Sequence, residues 1–171
     1  MVLGVFTRTQ LELGLRALST GDAAQAKRHF YRAAFPPTNL GEARHLLANA
    51  SDVWLACGDA SNAMGESDEA IKWWRKAAEF KGDFQDKAIQ PYSELTYYQA
   101  VALDRLGRTE DSQRLVQALK EYAERLLVEP AKIDYFATSL PTMLLFEDDI
   151  QARQEKKAKL ILSQVSGGKG A

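Results

Sequence analysis

The stretch 54–77, WLACGDASNAMGESDEAIKWWRKA, decides the fold. Trp54, Cys57 and Ser61 share one helical stripe before Gly65, and Ala70, Trp74 and Ala77 share another after it. Gly65 supplies the left-handed backbone that closes a helix, and Ser67 is expected to accept from the free amides that open the next one. The segment reads as two helices folded back across a tight turn.

The same punctuation recurs outward in both directions. Gly21 with Asp22, and Gly107 with Thr109, stand 44 residues before and 42 residues after Gly65. Leu11, Leu15 and Leu18 precede Gly21, and Ala26, Phe30 and Ala33 follow it. Leu95, Tyr98, Ala102 and Leu106 precede Gly107, and Leu115, Leu119, Tyr122 and Leu126 follow it. Small residues at the crossing points let paired helices approach, and one large aromatic fills the space between them. Sustained two-residue alternation is missing, so a sheet has no support. The expected architecture is all-α: three helix pairs followed by two C-terminal helices.

Prolines and caps set the boundaries. Pro36-Pro37 stops the helix carrying Phe30. Asn39 with Glu42 reads as a capping box opening a helix over 40–64. Glu129-Pro130 ends the third pair. The repeats are expected over 7–35, 40–80 and 86–128, with terminal helices over 132–140 and 142–165, all one domain over 1–165. The Gly-rich tail 166–171 is expected to fray.

These residues resemble the tetratricopeptide repeat family, whose pattern sets a Trp, a Leu-Gly and a Tyr in the first helix and Ala, an aromatic and Ala in the second. The first copy matches at Leu13-Gly14, Ala26, Phe30 and Ala33, and the second at Trp54, Gly58, Ala70, Trp74 and Ala77. The third departs, with Ala100 for Gly, Ser112 for Ala and Val116 for the aromatic. The stretches NLGEARHLLAN (39–49) and KIDYFATSLPTMLLFEDD (132–149) further resemble the C-terminal helical region of large bacterial proteins that carry an N-terminal galactose-mutarotase-like β-rich domain. The resemblance implies a helical solenoid without sugar chemistry of its own. It also implies helices beyond Val165, so that the last one here acts as a solvating cap or leaves a face open to a partner.

Composition narrows the function classes. The 171 residues include 22 Lys+Arg against 23 Asp+Glu, a net charge of -1 that argues against a phosphate-tracking nucleic-acid binder. A single cysteine excludes an intramolecular disulfide framework. No apolar run is long enough to span a bilayer, and residues 1–10 lack the apolar stretch of a signal peptide, so the cytoplasm is the expected compartment.

Candidates for chemistry are few. Cys57 on the inner stripe reads as a small buried hydrophobe. His29 and His45 lack metal-ligand spacing, and His29 is expected to point outward. Glu147-Asp148-Asp149 diverge around a helix and read as a solvated first turn, although one of them beside Arg44 or Arg153 would fix the terminal helices. Phosphate loops, nucleophile elbows and zinc motifs are missing, so neither catalysis nor a metal or other cofactor is expected. Trp74 fits the core, which leaves Trp73 facing a neighbouring repeat or standing as an exposed anchor.

By the same resemblance, the ligand-facing positions of the first helices are Arg8, Asp52, Asp59, Asn62, Glu94, Tyr97, Asp104 and Arg105. Four acids against two bases suit a basic or neutral peptide, a partner helix or a second copy of this chain. Tyr97 and Asn62 are the expected anchors, and Asp59 and Asp104 are expected to tolerate Lys without loss of folding. The reading is a non-catalytic protein-interaction or scaffold module. The alternatives are an accessory region of a carbohydrate-active protein and self-association through the C-terminal helix. Neither nucleic acid nor membrane is an expected partner.

Overall fold

The computed structural model describes residues 2–42, 48–80, 92–131 and 150–167. Seven α-helices and one 3-10 turn, with no strand, make up the regular structure of the described residues. They are α1 (Val2–Ser19), α2 (Ala23–Ala34), α3 (Ser51–Ala63), α4 (Ser67–Ala78), α5 (Thr96–Arg105), α6 (Thr109–Val128) and α7 (Ile150–Gly167). Helices α1 and α2, α3 and α4, and α5 and α6 pack as pairs, and each pair also packs on the next. Helix α7 packs on α6 and touches α5, much as α3 packs on α2 and touches α1.

The three turns within pairs are built alike. Gly21, Gly65 and Gly107 have φ of 83°, 79° and 76°, where a Cβ would be strained. At each, the glycine amide donates to the carbonyl three residues back, and the next amide donates five residues back: Asp22 to Ala17, Glu66 to Ser61 and Arg108 to Leu103, all at 2.9 Å. This backbone closure satisfies carbonyls that the helix end leaves free. The expected polar caps are realised once. Asp22 accepts from the Gln25 amide at 2.9 Å. Ser67 and Thr109 are already helical, and the residues before them make no side-chain cap.

Close approach within a pair depends on glycine in the first two. A Cβ built on Gly14 would overlap the Phe30 ring, and one on Gly58 would overlap the Trp74 indole. Phe30 is fully buried and Trp74 nearly so, in a core that runs through α1 to α5. The third pair differs. Ala100 is buried and Val116 half-buried, and α6 turns Leu119, Tyr122 and Ala123 onto Ala158, Ile161 and Val165 of α7 to form a second core. Helix α7 thereby covers apolar surface that α5 leaves open.

The expected helix over 40–64 is corrected. Pro36-Pro37 does end α2, but only a 3-10 turn, Thr38–Leu40, follows before Gly41 turns left-handed at φ 71°. Helix α3 starts at Ser51, whose amide and hydroxyl both donate to Asn49 Oδ1 at 2.9 and 2.7 Å. Glu42 does not cap a helix opened by Asn39. Its two carboxylate oxygens accept from the Val2 and Leu3 amides at 3.1 and 2.9 Å, because the start of α1 offers free donors and a positive dipole end. The expected terminal helix over 132–140, the start of the next at 142–149, and residues 86–91 of the third repeat lie outside the described residues. Helix α7 extends past the expected end at Val165 to Gly167.

A polar network joins the first two pairs. Lys27 of α2 pairs with Glu66 and, at 2.9 Å, with Glu69, while the Tyr31 hydroxyl donates to Glu69. Trp73 Nε1 donates to the Tyr31 oxygen at 3.0 Å, and its ring stands edge-on to Tyr31 and Phe35. Trp73 therefore faces the neighbouring pair. The Tyr31 hydrogen bond, then Lys27, lowers the Glu69 carboxyl from 4.5 to about 2. Its folded value lies below the unfolded one, so its stabilising contribution is complete above pH 4.5 and is lost as pH falls toward 2. The hydrogen bond to Glu66 holds the Lys27 ammonium above its ordinary 10.5, so that contribution is present at neutral pH and fades only at strongly alkaline pH. Urea midpoints taken from pH 6 to pH 2 are expected to fall less steeply below pH 4.5 in Glu69→Gln than in the parent chain. Parallel curves would remove Glu69 from this role.

Candidate binding cleft

A cleft of about 400 Å³ opens between α5, α6 and the end of α7. Its apolar walls are Tyr97 and Val101 from α5, Val116 from α6 and Val165 from α7. Val116 stands where Phe30 and Trp74 stand in their pairs, and as a smaller side chain it leaves room that an aromatic would occupy. Asp104, Arg105, Gln113 and Gln117 supply polar groups around this floor. Apolar walls with a few hydrogen-bonding groups suit a side chain inserted from a partner.

The predicted site residues divide. Tyr97, Asp104 and Arg105 line the cleft. Asp59 stands behind it, accepting from Arg105 Nε at 3.1 Å and from Trp74 Nε1 at 3.0 Å. It ties the second pair to the third, so the expectation that Asp59 accepts Lys without structural effect is corrected: the change sets an ammonium against two donors. Asp104 accepts from Thr109 Oγ1 at 3.0 Å across the α5–α6 turn. Arg8, Asn62 and Glu94 are exposed and Asp52 is half-buried, and none of the four lines the cleft. Asp52 sits close enough to Tyr98 to act on its phenol, which burial first, and that charge second, push above its ordinary value. Val101, Gln113, Gln117 and Val165 were not among the predicted residues.

The wall from α7 is anchored deeply. Lys157 donates to the Tyr92 carbonyl at 3.0 Å and lies over the Tyr122 ring at 5.5 Å. Burial pushes its ammonium below the ordinary lysine value, against the opposing charge of Glu94. Gln154 Nε2 donates to the Leu126 and Glu129 carbonyls, both at 2.8 Å, at the end of α6.

A larger groove, about 720 Å³, runs along α4 past Glu66, Glu69, Trp73 and Lys76. Three of its five charged groups already have partners: Glu66 and Glu69 pair with Lys27, and Lys76 lies over the rings of Trp54 and Trp73 at 4.8 and 5.4 Å. A single helix lines it, so it offers a partner less enclosure than the smaller cleft.

Other candidates resolve simply. Cys57 is fully buried. His29 does not point outward: it is half-buried, with Nδ1 2.8 Å from Gln10 Oε1 between α1 and α2. His45, Arg44 and Glu147-Asp148-Asp149 lie outside the described residues. Among the described residues, no group of three or more His, Cys, Asp and Glu is placed to hold a metal ion. No described helix is long and apolar enough to cross a membrane. No protein-family model matches the chain, and no solved structure matches it.

Proposed function

We propose that this chain is a tetratricopeptide-like solenoid acting as a non-catalytic interaction module that grips a partner peptide or helix in the α5–α6–α7 cleft. The observation that carries this reading is the third pair's missing aromatic, with Val116, Tyr97, Val101 and Val165 forming an apolar floor under a polar rim. The three matching glycine turns and the Gly14–Phe30 and Gly58–Trp74 contacts support the repeat reading. The partner presents an aliphatic or aromatic side chain to the floor. Its flanks are polar and of no fixed charge, because Asp104 and Arg105 balance one another around the rim.

The test is a random-peptide display selection on the full chain, repeated on Gln113→Trp. Gln113 is exposed on α6, so an indole there plugs the cleft without entering the core. Peptides enriched on the parent chain are expected to lose binding to Gln113→Trp while its melting temperature stays the same. Enriched peptides that bind both proteins equally would move the site away from this cleft.

A further inference from the structure

The third pair moves its aromatic residue from one helix to the other. Counted from the turn glycines, Phe30, Trp74 and Val116 share one position on the second helices, and Leu11, Leu55 and Tyr97 share one on the first. In the first two pairs the second helix supplies the ring, and the ring is buried against Gly14 or Gly58. In the third, α5 supplies it, and Val116 is half-buried in the floor of the cleft. Tyr97 does not fill the space that results. It stands in the wall, edge-on to Tyr98 with ring centroids 5.7 Å apart, and about 400 Å³ stays open beside it. Ala100 prevents the chain from filling that space from α6. Gly14 and Gly58 leave no room for a Cβ under their rings, so a ring at position 116 in the same pose would meet the Ala100 methyl.

We infer that the cleft seats an aromatic ring donated by the partner, and that Tyr97 selects this ring over an aliphatic side chain. The inference rests on the reading of the cleft as the binding site. The other two pairs identify the occupant, since the corresponding place in each holds a phenyl or an indole ring. A ring entering from outside is not tied to the α6 backbone, so it stops on Val116 and clears Ala100. Val101 and Val165 flank it there with apolar surface that any apolar side chain would use. Tyr97 adds an edge-to-face contact that only another ring can return. The groove along α4 offers no such seat. Its one ring, Trp73, already makes edge contacts with Tyr31 and Phe35.

The test titrates N-acetyl-phenylalanine amide and N-acetyl-leucine amide into the full chain, read by the methyl NMR signals of Val101, Val116 and Val165. Both probes are expected to shift these signals, the phenylalanine probe with a dissociation constant about two- to tenfold lower. Tyr97→Leu is expected to remove the preference and keep both probes bound. Ala100→Gly combined with Val116→Phe rebuilds the contact of the first pair. It is expected to melt above Ala100→Gly alone and to release both probes, whereas Ala100→Gly alone binds them as the parent does. Equal affinities for the parent chain would overturn the aromatic seat and leave the cleft as the site. A preference that survives Tyr97→Leu would remove Tyr97 from its selecting role. A double variant that melts below Ala100→Gly would show that no ring fits this place. Valine signals that neither probe moves, or shifts that persist in the double variant, would overturn the cleft itself and the seat with it.

Discussion

Trp74→Ala is expected to lower the unfolding free energy by about 3–5 kcal/mol, the range for emptying a large aromatic site in a core. Three terms act together. The indole is 7% exposed, so truncation forfeits its transfer free energy. Its ring lies on Gly58, where no side chain stands ready to collapse into the void. Its Nε1 donates to Asp59, which also receives Arg105, so the loss extends into the junction of the second and third pairs. Trp73→Ala is expected to cost clearly less, because that ring is half-buried and loses edge contacts with Tyr31 and Phe35 and one hydrogen bond. Denaturant midpoints on the two variants check this, and comparable midpoints would mean that the two tryptophans have been given the wrong faces.

Gly58→Ala is expected to destabilise the chain by about 1–3 kcal/mol, the usual cost of overfilling a packed core. Helix propensity alone argues the other way, since alanine is favoured over glycine in a helix interior by about 1 kcal/mol. Overlap with the buried Trp74 ring decides the sign, because a ring held among α3, α4 and Asp59 has nowhere to swing. Gly14→Ala meets Phe30 in the same way. Ala100 in the third pair is the natural control: Ala100→Gly is expected to cost about 1 kcal/mol from backbone freedom, with no clash to relieve. A double-mutant cycle separates the cases. Gly58→Ala combined with Trp74→Leu is expected to cost less than the sum of its parts, because the smaller side chain vacates the contested space. Strict additivity would show that the overlap is relieved by a small backbone shift.

The helix pairs were legible in the sequence because their signals are local. A glycine at a turn, a stripe of small and aromatic residues on each side and a near-constant spacing all lie within a few dozen residues. The misreadings share the opposite property. Glu42 looks like a cap for Asn39 three residues away, yet its partners are the Val2 and Leu3 amides at the far end of α1. Ser67 and Thr109 look like caps, but each is the first residue of its helix and not the one before it, and Thr109 donates to Asp104. The cleft was half visible. The substitution of Val116 for the aromatic marked the third pair as different, and Tyr97, Asp104 and Arg105 came from their places on the first helix. Val165 could not be found this way, because its place in the cleft depends on how α7 lies against α5 and α6.

The three glycine turns also divide the chain into parts that tolerate length change and parts that do not. Each turn within a pair spans three residues, Thr20 to Asp22, Met64 to Glu66 and Leu106 to Arg108, with matching backbone bonds. An inserted residue there breaks both bonds and turns the second helix away from the first. The two different spacings of the glycines come from the first helices, since α3 has 13 residues and α5 has 10, whereas α2 and α4 both have 12. Insertions, epitope tags and cleavage sites therefore belong away from these three turns, whose matched backbone bonds set how each pair closes.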